Sequence, residues 1–145
     1  MANALRRAAA PDLEFILDLQ RAAQRDDKRS SADGLRAALA RQGAWLIEGP
    51  GRADGLLVLR DGAGELIVDD LATHPEARGQ GVGRRLLGHA EQMARAQGAT
   101  VLTVEAEEQD PALVAWYEGL GFVRAGRIAD FFHAGCAAIR LRKAL

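Results

Sequence analysis

The chain has one cysteine, Cys136, so no disulfide can close within it, and a reducing compartment suits it. Its three histidines, His74, His89 and His133, show no metal-ligand spacing, and no metal is expected. A surplus of positive charge is missing: 19 Lys and Arg stand against 20 Asp and Glu, a net charge of −1. Electrostatics therefore do not argue for a nucleic-acid partner. No apolar run approaches the length of a membrane span. The first residues, Met1-Ala2-Asn3-Ala4-Leu5-Arg6-Arg7, lack the apolar core of a signal peptide. The expected location is the cytoplasm, with no membrane partner. Internal repeats, low-complexity tracts and linkers are absent too. At 145 residues, 48% hydrophobic and 27% charged, the chain suits one domain over residues 1–145 with a core of its own.

Two phosphate signatures are also missing. The pattern G-x-G-x-x-G fails because Arg84 stands where the third glycine should be. No Gly-Lys-Ser/Thr occurs, so there is no P-loop, and a nucleotide-binding module is disfavoured. What the chain does have is Leu71-Ala72-Thr73-His74-Pro75-Glu76-Ala77-Arg78-Gly79-Gln80-Gly81-Val82-Gly83-Arg84-Arg85-Leu86-Leu87. This stretch leaves an apolar, β-branched run (Leu66, Ile67, Val68) and enters a helical pattern. It reads as a strand, a glycine-rich turn and a helix N-terminus. Glycine lets the backbone approach a ligand closely. The first amides of a helix lack intrahelical partners and carry the positive end of its dipole. Together these features predict a site for a phosphate or pyrophosphate.

Periodicity and turn residues predict the other elements. An edge strand is expected over residues 4–8. A helix follows, starting at Ala10-Pro11-Asp12 and running through Leu13, Ile16, Leu17 and Leu19 to Ala23. The charged run 25–29 reads as a break, and Ser30-Ser31-Ala32-Asp33 as caps of a second helix that ends near Gln42-Gly43. Strands are expected at 44–48, 55–59 and 65–73, joined by tight turns as an antiparallel meander. A helix from Val82 stops at Gly98. Residues 100–104 form a strand parallel to the one before the glycine turn. Pro111 opens a helix that Gly121 ends. Residues 122–128 and 137–143 close the sheet as an antiparallel pair, with 129–135 as the loop between them. The fold class is α/β, a mixed and mostly antiparallel sheet of about seven strands with about four helices and a central parallel pair.

Arg78-x-x-Gly81-x-Gly83 resembles the acetyl-CoA signature of the GNAT superfamily of N-acetyltransferases, Q/R-x-x-G-x-G/A. The preceding Leu-Ala-Thr-His-Pro-Glu resembles that superfamily's lead-in. A second stretch, from Asp110-Pro111 to Gly121-Phe122, resembles its N-x-x-A-x-x-x-Y-x-x-x-G-F segment. Tyr117 and Gly121-Phe122 match, Asp110 replaces the usual asparagine, and Leu113 replaces the common alanine. The element order agrees with the GNAT fold over nearly the whole chain.

The resemblance implies acetyl-CoA as cosubstrate. Its thioester arm enters where the strands bearing residues 65–73 and 101–106 splay apart. Turn amides from Arg78 through Gly79, Gln80, Gly81 and Val82 to Gly83 would bind pyrophosphate, aided by Arg78, Arg84 and Arg85. Strand backbone at Leu71, Ala72 and Thr73 would hold the pantetheine arm, with an amide at or near Leu71 for the oxyanion. Tyr117, the only tyrosine, would protonate the departing thiolate. A helix aromatic packed on the sheet is the other reading of Tyr117, and Trp116 could fill that role equally. In many members the asparagine at the Asp110 position contacts the cofactor; an aspartate supplies an acceptor and no amide donor.

An acceptor amine arrives protonated at neutral pH, and a carboxylate could take its proton. The candidates are Asp69 and Asp70, which point to opposite faces of their strand, and Glu105. In the ribosomal-protein N-terminal acetyltransferase branch a glutamate occupies a position equivalent to Glu105, though Glu107 and Glu108 compete for that alignment. Each carboxylate is otherwise read as a solvated acid at a strand end. His74 reads as a turn residue. Cys136 has no clear histidine or acid partner in the sequence, so an acyl-cysteine route is not expected.

The expected activity is an N-acetyltransferase acting by direct attack in a ternary complex. Its acceptor is a primary amine: a small amine, an amino acid, a polyamine or a peptide or protein N-terminus. A non-catalytic acyl-CoA-binding or sensor domain of the same fold is the alternative. An acidic rim from Asp69, Asp70, Glu105, Glu107 and Glu108 would attract a cationic acceptor. Many relatives dimerise, and a homodimer is kept open because these residues fix no stoichiometry.

Overall fold

The chain runs β1 (Leu5–Arg7), α1 (Leu13–Ala23), α2 (Ala32–Ala40), β2 (Ala44–Gly49), β3 (Arg52–Asp61), β4 (Glu65–Thr73), α3 (Val82–Ala96), β5 (Val101–Glu107), α4 (Pro111–Gly119), β6 (Val123–His133) and β7 (Cys136–Ala144). In this computed structural model, which describes residues 4–24 and 30–145, the seven strands form one sheet in the order β1-β2-β3-β4-β5-β7-β6. The class is the mixed α/β one that the sequence predicts. β4 and β5 pair in parallel, and the β1–β2, β2–β3, β5–β7 and β6–β7 pairs are antiparallel. The polar break expected at 25–29 lies outside the described residues. No described helix is long and apolar enough to cross a membrane. By its internal contacts the chain forms two compact units. One comprises the described residues up to Arg60 together with Asp69–His89; the other comprises Asp61–Val68 and Ala90–Leu145. β4 and α3 each contribute residues to both.

In the first unit, the expected start of α1 is a separate 3-10 turn, Ala10–Asp12. Pro11 has no N–H to give, and the Asp12 carboxylate accepts the Ala9 N–H at 2.8 Å, so the chain tightens before the α-helix begins. Arg6 grips the same carboxylate at 2.9 and 2.8 Å and also bonds Glu48. The Arg6 hydrogen bond holds the Asp12 carboxyl below the usual carboxylate range. α1 buries Ile16, Leu19 and Gln20, and α2 buries Leu35, Ala38 and Leu39, each at the i, i+3, i+4 spacing of one helical face. The apolar members pack with Leu46, Leu56, Val58 and Ala72 in one core. Ser31 is the α2 N-cap, accepting the Gly34 N–H at 3.0 Å. β3 is longer than the expected 55–59, because Arg52 and Ala53 pair with Gly49 and Glu48 of β2 and the strand runs on to Asp61.

In the second unit, β4 residues Glu65 to Val68 pair in register with Val101 to Val104 of β5. β5 then pairs with β7 over seven positions, from Val101↔Ala144 to Glu107↔Ala138. Gly98 (φ +79) ends α3 in a Schellman arrangement, with Ala99 N–H on Ala94 O and Gly98 N–H on Arg95 O. The loop expected at 129–135 is mostly strand. β6 continues to His133, and only Ala134 and Gly135 turn the chain. Between the pairs Ile128↔Ala138 and His133↔Cys136 the register shifts, so four residues, 129–132, oppose Ala137 alone. That bulge contains Asp130 at φ 54, whose carboxylate accepts the Gly135 N–H at 2.7 Å. A bulge hides a strand from a period-2 reading, because each extra residue changes the facing of the side chains.

Candidate functional site

The glycine turn joins β4 to α3. Backbone φ is +78 at Gly79 and +79 at Gly81 and is not positive at Gln80 or Val82. Successive amides with alternating handedness form a concave nest for an anion. α3 opens with the bond from Arg85 N–H to Gly81 O at 2.9 Å. The amides of Val82, Gly83 and Arg84 therefore precede the first helical bond and have no partner inside the helix. Gly83 lies in that first turn and needs no special φ, so only two of the three alternating glycines serve the left-handed geometry.

Two fixtures aim the turn. His74 is a turn residue, as expected: its Nδ1 accepts the Glu76 N–H at 3.1 Å, capping a 3-10 turn over Pro75–Ala77. Arg52 bridges Asp54 at 2.9 Å and Glu76 at 2.8 Å. The second fixture is Gly55 of β3, which the sequence reading passed over. A Cβ there would lie 2.5 Å from Val82 Cγ1 and 2.9 Å from Leu86 Cδ1. The missing side chain lets the first turns of α3 settle against the strand. A lone glycine inside a strand pattern is the signal that could have found it.

At the end of β4, His74 N–H donates to Asp54 O of β3 at 2.8 Å. Backbone amides alternate sides along a strand. The N–H groups of Leu71 and Thr73 therefore point from the opposite edge, and that of Ala72 points toward β3. Asp69 and Asp70 face opposite sides, as expected, and their surroundings differ sharply. Asp69 is exposed and held by Arg60, whose Nε lies 3.1 Å from both carboxylate oxygens, with Arg41 at 3.6 Å. Asp70 is 7% exposed and accepts from Gln20, Gln24 and Ser30 at 2.7, 2.8 and 2.9 Å. None of those three partners carries a sequence motif.

The remaining candidates belong to the second unit. Glu105 stands opposite Arg140 in the β5–β7 ladder, with Arg140 Nε 3.5 Å from its carboxylate. Glu107 is buried and takes a hydrogen bond from Cys136 Sγ at 3.2 Å. The cysteine thus has an acid partner that the sequence did not reveal. Glu108 is paired with Arg127, which holds its carboxyl below the usual range. The five carboxylates expected to form a free acidic rim are therefore each paired or buried, and that expectation is corrected.

Asp110 is the N-cap of α4, its Oδ1 accepting the Leu113 N–H at 3.1 Å. This accounts for an aspartate where asparagine is usual, since both cap a helix well. Tyr117 is buried on α4. Its ring packs edge-on against Phe122 at 5.4 Å and Trp116 at 5.1 Å.

A family model described as an acetyltransferase (GNAT) domain matches residues 40–124. No curated protein sequence matches. Among solved structures, the chain shares its fold with the ribosomal-protein-S18-alanine N-acetyltransferase from Escherichia coli, at 21% identity and TM-score 0.83, covering 98% of this chain and 93% of that one. It also resembles a chain of the NatC complex bound to Gag peptide and CoA, at 19% identity and TM-score 0.84, covering 100% and 99%. A third is GphF, a GNAT-like decarboxylase in complex with isobutyryl-CoA, at 16% identity and TM-score 0.83, covering 97% and 98%.

Proposed function

Because the chain belongs to the GNAT acetyltransferase family, we propose that it transfers the acetyl group of acetyl-CoA to a primary amine by direct attack. The observation that carries this reading is the turn: left-handed glycines at 79 and 81 lead into helix amides with no internal partner. Two of the structural neighbours were solved with CoA or an acyl-CoA, which supports an acyl-CoA guest.

In this reading the amides from Arg78 to Gly83 take the pyrophosphate, and Arg78, Arg84 and Arg85 add charge. The β4 edge at Leu71, Ala72 and Thr73 pairs with the pantetheine arm, and one of its amides donates to the developing oxyanion. The amine nitrogen bonds the thioester carbon, the C–S bond breaks, and Tyr117 O–H protonates the thiolate. Glu105 takes the proton that the ammonium must lose. Its contact with Arg140 is looser than the two-oxygen grip of Arg60 on Asp69. The acceptor is a small amine, an amino acid, a polyamine or a peptide or protein N-terminus. The name of the Escherichia coli neighbour, a ribosomal-protein-S18-alanine N-acetyltransferase, is a reason to try a peptide N-terminus early in a panel.

A second reading, acyl-CoA binding without turnover, draws on Asp110. Its capping bond to Leu113 engages one oxygen of the side chain that in many relatives serves the cofactor. Thiol release from acetyl-CoA across amines, amino acids, aminoglycosides and peptides separates the two. The first reading predicts turnover with at least one acceptor, and a Tyr117→Phe loss of about a hundredfold to ten-thousandfold in kcat with CoA affinity retained. Undiminished turnover in Tyr117→Phe removes the phenol from the mechanism. Tight CoA binding without release across the panel favours the second reading.

A further inference from the structure

Side chains from α1, from the segment before α2 and from β4 meet at one carboxylate. Asp70 Oδ2 accepts from Gln20 Nε2 at 2.7 Å and from Ser30 Oγ at 2.9 Å, and Oδ1 accepts from Gln24 Nε2 at 2.8 Å. These donors lie 50, 40 and 46 residues away in sequence. An ionised carboxylate offers about four acceptor sites, and these three side chains occupy three of them. Burial pushes the carboxyl up from its usual range, and the bonds from Gln24, Ser30 and Gln20 oppose that rise.

Two consequences follow. A carboxylate that already holds three side-chain donors weakens those bonds when it takes a proton, so Asp70 is poorly made for a base. A buried carboxylate held, among the described residues, by neutral side chains is also a poor source of stability, since an apolar side chain of similar volume often does as well. The location suggests what it does instead. Asp70 immediately precedes residues 71–73, the edge to which the reading above assigns the acyl group. The far end of that edge is tied by His74 N–H to Asp54 O at 2.8 Å. The Asp70 hub ties the near end.

We propose that Asp70 is a positioning residue: its carboxylate fastens α1 and Ser30 to β4 and so fixes the direction of the reacting backbone edge at residues 71–73. The proposal rests on the acetyltransferase reading. Its effect falls on the rate of transfer, because a misplacement of about 1 Å at reacting groups can lower a rate about a hundredfold. The pyrophosphate turn, eight and more residues further along the chain, keeps its own fixtures in His74, Arg52 and Gly55.

The test compares Asp70→Asn, Gln24→Ala and Ser30→Ala in the full chain. The measurements are kcat, the KM for acetyl-CoA, CoA affinity by calorimetry and the pH–rate profile. Gln24→Ala and Ser30→Ala remove one hub bond each and leave Asp70 in place. The expected result is a kcat lowered about tenfold or more in all three, a much smaller loss of CoA affinity, since the pyrophosphate turn stays fixed while the pantetheine edge shifts, and the acidic limb of the profile retained in Asp70→Asn. Wild-type kcat in Gln24→Ala and Ser30→Ala, with turnover abolished in Asp70→Asn, overturns the proposal and makes Asp70 a base. Parallel loss of CoA affinity and kcat also overturns it, as a general loss of structure. If the wild-type protein binds CoA but acetylates no amine, the functional reading fails separately. The hub is then read from amide hydrogen exchange. Faster exchange at Ala72 and His74, whose N–H groups point to β3, in Gln24→Ala and Ser30→Ala, with β5 unchanged, supports it; wild-type exchange at both amides overturns it.

Discussion

Replacing Gly55 by alanine adds one carbon far from any charge, yet it should weaken CoA binding. The added Cβ would lie 2.5 Å from Val82 Cγ1 and 2.9 Å from Leu86 Cδ1. Carbon atoms rest at about 3.5–4.0 Å, so about 1 Å must be found. Val82 cannot swing aside easily, because a β-branched side chain in a helix has one strongly preferred rotamer. The first turn of α3 must therefore move, at about 1–3 kcal/mol of stability for an overpacked site. The amides of Val82, Gly83 and Arg84 ride on that turn. A hydrogen bond to a charged group contributes about 1.5–3 kcal/mol, so losing one weakens CoA binding about tenfold to a hundredfold. Calorimetric titration of folded Gly55→Ala with CoA measures this directly. Adding Val82→Ala opens the space and should restore most of the affinity, a non-additive cycle. Gly88→Ala on the same helix meets nothing within 4 Å. It should raise stability by about 0.5–1 kcal/mol and leave CoA affinity alone. Wild-type affinity in Gly55→Ala, or no recovery in the double variant, refutes the seating argument.

Two further predictions concern stability. Thr103 is 1% exposed, and its Oγ1 has no hydrogen-bond partner among the described residues. Thr103→Val keeps the shape and removes the unpaired hydroxyl, so stability should rise by about 1 kcal/mol; a lower unfolding midpoint in urea contradicts this. Asp12 has its carboxyl lowered by the Arg6 hydrogen bond. Its contribution is complete above the unfolded value of about 3.9 and is lost as pH falls through the lower folded value. Wild type and Asp12→Asn should thus differ near neutral pH and converge in acid, and a gap that persists at the lowest pH measured contradicts the assignment.

The elements that motif and period could reveal were legible in the sequence. The turn from Arg78 to Gly83 is contiguous, and its glycines have a local reason to be there. β4 and α4 begin at the positions that alternation and Pro111 indicate. The features that escaped are long-range. Gln20, Gln24 and Ser30 converge on Asp70 from 40 to 50 residues away, and no local pattern marks such a meeting. Glu107 and Cys136 are 29 positions apart and become neighbours only through the β5–β7 register. The apparent acidic rim failed for the same reason: Arg60, Arg127 and Arg140 are remote or inconspicuous in sequence and lie against these carboxylates in the fold. The bulge at 129–132 broke the alternation that would have announced the end of β6.

The most direct measurement is a calorimetric titration of the wild-type protein with CoA and with acetyl-CoA, repeated on Gly81→Ala. Gly81 stands at φ +79 with open space around it, so an added Cβ perturbs backbone handedness by about 1–2 kcal/mol and meets no neighbour. One-site binding of both ligands by the wild type is expected, with a clear loss of affinity in the variant. Well-folded wild-type protein that binds neither ligand contradicts it.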